Sequence, residues 1–100
     1  MEGSICDAIL TPTPGELTFE ILKKYAAPGL VASDAQALEA MSLLFLHHNL
    51  VVEPGGAISL AAALNQYEKI HSDVLIIVCT GGNVDPVIFS KALDLIDAGY

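Results

Sequence analysis

The sequence predicts an α/β fold of about four helices and two to four short, mostly parallel strands, and three observations predict it. Apolar residues recur at helical spacing in four stretches that carry capping residues. One run, "DVLIIVCT" over 73–80, is apolar without alternation, the pattern of a strand covered on both faces. Helices and apolar runs also follow one another along the chain as they do where strands feed helices. One hundred residues hold one core at most. The whole chain, 1–100, is therefore expected to be a single α/β unit. One convincing central strand with two or three weak ones is too few for a self-sufficient parallel sheet, so the unit is expected to be an incomplete domain.

Each element has its own warrant. The prolines and glycine of "TPTPG" (11–15) preclude regular helix, and "ELTFEILKKYA" then restores helical spacing, with Phe19, Leu22 and Ala26 on one face. "APG" (27–29) ends that helix, and "LVAS" is short and apolar, as a strand would be. Ser33 and Gln36 form a capping box for a second helix, whose apolar stripe runs through Leu38, Met41, Leu44, Phe45 and His48. A third helix is expected over "AISLAAALNQYEKI", with Ala57, Ala61, Ala62 and Ala63 permitting close packing and Leu60, Leu64 and Tyr67 carrying the bulk. Asp85 caps a fourth helix, Pro86 suits its first position because the missing donor is not needed there, and Gly99 ends it.

Composition narrows the function classes. Four Lys and Arg against twelve Asp and Glu leave a net charge of -8, which repels a phosphate backbone, so nucleic acid is not an expected partner. No apolar run approaches the roughly 18 residues of a membrane span, and "MEGSICDA" lacks the basic start and apolar stretch of a signal peptide, so the expected location is the cytoplasm. A hydrophobic share of 53% with 16% charged residues is more apolar than a free monomer of this size needs, which points to a partner or to self-association. Cys6 and Cys79 have no CxxC spacing and read as buried thiols.

The residues that could carry chemistry are few. In open α/β sheets ligands sit beyond the carboxyl ends of strands, and Thr80 is at such an end, followed by Gly81 and Gly82, which let the backbone turn sharply or approach a flat ligand. "TGGNVDP" fits an ordinary strand-to-helix turn equally well, and it is neither a GxGxxG nor a Walker A loop. Glu53, before Pro54 and a glycine pair at a helix start, fits a capping role in the helix dipole. His47 and His48 point about 100° apart on a helix and cannot share one metal; no metal site is expected. His71 suits a helix end, and no nucleophilic triad is supported.

Taken together, "SICDAILTPTPGELTFEIL", "LVASDAQALEAM", "LVVEPGGAISLAAAL" and "IIVCTGGNVDP" resemble, in this order and spacing, the C-terminal part of serine/threonine dehydratases. Those are fold-type-II pyridoxal-phosphate enzymes, with serine racemase and hydroxyaspartate dehydratases as kin, and the fold implied is the C-terminal portion of their large domain. The resemblance rests on an EP-small-GA segment and an S/T-GGN-x-D segment about 27 residues later. It implies that Thr80 takes the position whose hydroxyl meets the cofactor's pyridine nitrogen, that Gly81 and Gly82 keep the turn beside the ring slim, and that Glu53 lies near the ring's edge. It also implies a lyase removing water from a hydroxy amino acid to give a keto acid and ammonia.

The departures are as informative. The family's cofactor-bearing lysine lies in an S-x-K-x-R-G-type motif, and none of Lys23, Lys24, Lys69 or Lys91 has that context. The glycine-rich phosphate cradle and the family's metal-binding acids also precede the region resembled. The chain alone is therefore expected to be inactive and to bind no pyridoxal phosphate, its partner being the missing N-terminal part or a second copy in a homo-oligomer. The alternative from a different class is a non-catalytic α/β module that works by self-association or protein binding.

Overall fold

A computed structural model describes residues 4–6, 15–26 and 29–99. The turn residues Thr11–Pro14 and the Ala27–Pro28 helix terminator lie outside the described residues. Four helices form: α1 (Glu16–Tyr25), α2 (Asp34–His48), α3 (Pro54–Asn65) and α4 (Pro86–Asp97), with a short 3₁₀ turn at Tyr67–Lys69. None is long and apolar enough to cross a membrane.

Local chemistry explains where the helices begin and end. The Ser33 hydroxyl accepts from the Gln36 amide at 3.1 Å while the Gln36 side chain accepts from the Ser33 amide at 2.9 Å, the capping box expected from the sequence. Helix α2 ends on Asn49, which takes the left-handed conformation at φ 56° and donates its amide to Phe45 O, a stop that asparagine tolerates better than most residues. The Asp85 carboxylate caps α4 by accepting from the Val87 amide at 2.8 Å, with Pro86 in the first turn. Helix α3 departs from the expected span. It starts at Pro54, so the glycine pair is helical, and it stops at Asn65 because Gln66 leaves the helical region and sends its side-chain amide to the Val31 carbonyl. His71 accordingly lies beyond the 3₁₀ turn and not at a helix end.

Helix α2 packs against both α3 and α4. The core joins Ala40, Met41 and Leu44 of α2, Ala57 and Ala61 of α3, Ala92 of α4 and Val52. Alanines let the α2 and α3 backbones approach, and Met41, fully buried, fills the remaining space. The Phe45 and Phe89 rings meet edge to face with centroids 5.4 Å apart, tying α2 to α4. Bulk is thus not where the pattern put it: Leu64, Tyr67 and His48 are exposed, and small residues do the burying.

The expected strands are the main correction. Among the described residues no strand forms, either over 30–33 or over 74–80. A strand exists only through a ladder, and none of the described residues 71–79 makes a backbone-to-backbone hydrogen bond. Exposure over 74–79 nevertheless alternates: Leu75 at 49% and the half-buried Ile77 and Cys79 are each less exposed than Val74, Ile76 and Val78 at 78%, 86% and 69%. That is the two-residue period of a strand, with one face laid on the helices and the other bare. Cys79 is therefore half-buried, not the fully buried thiol expected. Helix α1 is bare too, with no buried residue and no packing against another described element.

Candidate functional site

Two turns separated by about 27 residues are brought together in space. The first, Val52–Gly56, leads into α3. Val52 is buried in the core and Pro54 is buried at the first helical position, which holds Glu53 between them. The second, Thr80–Asp85, leads into α4, anchored by Val84 against the core and by the Asp85 cap.

The contact between the turns is mostly backbone. The Glu53 amide donates to Gly81 O at 2.6 Å, and the Thr80 amide donates to Gly56 O at 3.4 Å. Gly81 stands at φ 78°, a conformation that favours glycine. A β-carbon there would overlap Glu53 Oε1 and lie 2.6 Å from its Cδ, so the carboxyl of Glu53 leans into the space that a side chain at position 81 would fill. This alters the capping explanation of Glu53. It occupies the N-cap of α3, but its side chain makes no capping hydrogen bond and faces the glycine turn instead. The Glu53 carbonyl is occupied in turn by the amides of Gly56 and Ala57 at 3.0 and 3.1 Å.

The structure therefore assembles Glu53, Thr80 and Gly81 in one place, with Gly82 following at the Val51 carbonyl, 3.4 Å from where its β-carbon would stand. Thr80, Gly81 and Gly82 are exposed and Glu53 is half-buried. The Thr80 hydroxyl has no hydrogen-bond partner among the described residues, although threonine can satisfy such a group locally. Beside the turns lies a cavity of about 320 Å³ whose polar lining comes from Ser4, Glu53, Asn83 and Asp85.

Ser4 reaches that cavity through contacts that the sequence did not announce. Its hydroxyl donates to Asp34 Oδ1 at 2.5 Å, and the Ile5 amide donates to Asp34 Oδ2 at 3.3 Å. A carboxylate in the first turn of α2 thus pins residues 4–6 next to the Glu53 turn. The pairing spans about 30 residues and has no local signature, so only the fold reveals it.

The two turns thus place the Thr80 hydroxyl, a backbone thinned by Gly81 and Gly82 and the Glu53 carboxyl next to one another. The same turns offer no amine. Lys23 and Lys24 lie on α1, Lys69 in the 3₁₀ turn and Lys91 on α4, all exposed. Among the described residues no group of three His, Cys, Asp or Glu could hold a metal ion.

In α/β proteins, glycine-thinned turns that lead into helices are common places for ligands to bind, and the two turns here lead into α3 and α4. Residues 1–81 match the family of pyridoxal-phosphate dependent enzymes, and the chain belongs to that family. Its relatives include beta-hydroxyaspartate dehydratase of Paracoccus denitrificans, 34% identical over 82 residues, which covers 82% of this chain and 26% of that protein. L-threonine ammonia-lyase of Thermotoga maritima is 33% identical over 91 residues, 91% of this chain and 22% of the relative. Serine racemase of Dictyostelium discoideum is 36% identical over 94 residues, 92% of this chain and 29% of the relative. The chain spans about a quarter of the length of these curated relatives. The resemblance to dehydratases and racemases and the fold-type-II assignment stand with this family; the strands do not appear among the described residues.

Proposed function

We propose that this chain supplies the C-terminal part of a pyridoxal-phosphate dependent lyase that removes water from a hydroxy amino acid, giving a keto acid and ammonia. The observation that carries the proposal is the meeting of the Glu53 and Thr80–Gly81 turns, with Thr80 exposed and its hydroxyl without a hydrogen-bond partner among the described residues. In this reading Thr80 holds the cofactor's ring nitrogen, Gly81 and Gly82 keep the backbone clear of the ring, and Glu53 stands at its edge. When bound, pyridoxal phosphate supplies the electron sink that the elimination needs. Thr80 contributes a neutral donor: its hydroxyl gives a hydrogen bond to a nitrogen lone pair and keeps its own proton, where a carboxylic acid would protonate the ring.

The 100 residues hold no lysine in the family's motif context, so alone they are inactive and fix no cofactor. The partner is the N-terminal part of the enzyme, together with which the chain forms one complete domain in a cytoplasmic homo-oligomer. The bare face of Val74, Ile76 and Val78 and the bare helix α1 support this, because both are apolar surface that a partner would cover. The same bare surface favours the second reading, a non-catalytic module that self-associates.

The test is to join the chain to a matching N-terminal part and measure ammonia release from serine, threonine and 3-hydroxyaspartate. Release from one of them is expected, and Thr80→Asp should change its rate at least about tenfold, in the range that a repositioned proton commands. An unchanged rate in Thr80→Asp would remove Thr80 from the role. For the chain alone, borohydride should fix no pyridoxal phosphate at a single site. Sedimentation separates the second reading, which requires stable self-association at micromolar concentration without any N-terminal part.

A further inference from the structure

The face of α3 that meets the Thr80 turn is built from residues at three-residue spacing, Glu53, Gly56 and Ser59, which lie side by side on a helix. Each touches the segment 78–81 at a successive point. Ser59 Oγ donates to the Val78 carbonyl at 2.9 Å, Gly56 O accepts from the Thr80 amide at 3.4 Å, and the Glu53 amide donates to the Gly81 carbonyl at 2.6 Å. The middle hydrogen bond is the longest of the three, yet the Thr80 peptide lies against Gly56 itself: a β-carbon there would overlap the Thr80 carbonyl oxygen and lie 2.6 Å from its carbon and 2.8 Å from Val52 Cγ1.

Glycine weakens a helix relative to alanine, and the neighbouring buried positions of the same helix, Ala57 and Ala61, are alanine. Position 56 is therefore glycine against the local preference, and the Thr80 peptide lying on it is the reason the geometry supplies. From these contacts we infer that Gly56 is the positioning residue of the Thr80 hydroxyl. It sets how close the residue 80 peptide comes to α3, while the Ser59 and Glu53 bonds fix the peptide's direction on either side. The inference rests on the reading that Thr80 meets the cofactor's ring nitrogen, and it concerns how that hydroxyl is held. A larger residue at 56 would push the Thr80 peptide away from α3 and carry the hydroxyl with it.

Amide hydrogen exchange and two-dimensional NMR on the 100-residue chain test this without any cofactor. In the unaltered chain the Glu53 amide should exchange at least about tenfold more slowly than the Ile76 amide; equal rates would overturn the inference. In Gly56→Ala the Glu53 protection should fall at least about tenfold and the Thr80 and Gly81 resonances should move, while Met41 and Leu44 amides change less than about twofold. Loss spread evenly over α2 and α3 would mean that Gly56 only supports the helix, and would overturn it. If Gly56→Ala does not fold, Ser59→Ala removes one outer contact and should shift Val78, Cys79 and Thr80; no shift there counts against the inference. A last arm separates it from the cofactor reading. In the chain joined to an N-terminal part and loaded with pyridoxal phosphate labelled with ¹⁵N in the ring, Thr80→Val should move the ring-nitrogen resonance, and Gly56→Ala should move it the same way. An unmoved resonance in Thr80→Val sinks the cofactor reading, whereas movement in Thr80→Val alone sinks the role of Gly56.

Discussion

The helix core and the stretch 74–78 are alike in composition and opposite in burial. Met41 is fully enclosed and Val52 is 6% exposed, yet Ile76, in a run of equally apolar neighbours, is 86% exposed. Helices complete their own backbone hydrogen bonds, so α2, α3 and α4 form and then bury their small faces against one another. The 74–78 run can form a strand only by pairing with other strands, and among the described residues none is available, so the Val78 carbonyl accepts from the Ser59 hydroxyl instead. The difference teaches that apolar sequence specifies a burial partner only when the partner lies within the same packed unit. Both the bare run and the bare α1 are apolar surface of the kind a neighbouring polypeptide covers.

Four substitutions sharpen that comparison. Met41→Ala opens a cavity in the packed half and should cost about 2–5 kcal/mol in urea unfolding; a loss below about 1 kcal/mol would mean that the α2–α3 packing is loose. Gly81→Ala places a β-carbon in the left-handed region and against Glu53, and should cost at least about 1–2 kcal/mol. No loss there would show that the two turns are not held together as described. Asp85→Ala removes the α4 cap and should cost about 1 kcal/mol, with circular dichroism reading the lost helix. Ile76→Ser, on the bare face, should change stability by less than about 0.5 kcal/mol and should lower binding of a hydrophobic dye. A loss comparable with that of Met41→Ala would show the two regions to be energetically the same.

Much of the fold was legible because it rests on local rules. The Ser33–Gln36 box, the Asp85 cap and Pro86 at its helix start are short-range chemistry, and each falls where the residues put it. The third helix begins and ends earlier than its apolar pattern predicts, because proline at the first helical position starts a helix at once even when two glycines follow, and Gln66 leaves the helical region. The predicted strands do not form for another reason: a β-branched apolar run states a preference that only a neighbouring strand can fulfil. The candidate site was legible as two motifs, "EPGGA" and "TGGN", and as the residues Glu53, Thr80, Gly81 and Gly82 within them. Neither Ser4 on Asp34 nor the lie of Thr80 on Gly56 was, since both join residues far apart in sequence.

By itself the sequence determined the helices, their caps and the family to which the chain belongs, because those follow from residue types at fixed short spacings. Only the tertiary structure decided that alanines bury while Tyr67 and Leu64 stay outside, that Glu53 turns from its helix cap to the glycine turn, and that Gly56 lies under Thr80. The reason is physical. Spacing along a chain fixes which side chains share a helix face, but which backbone can approach that face depends on the absence of a single β-carbon, and that is settled only when the two turns meet.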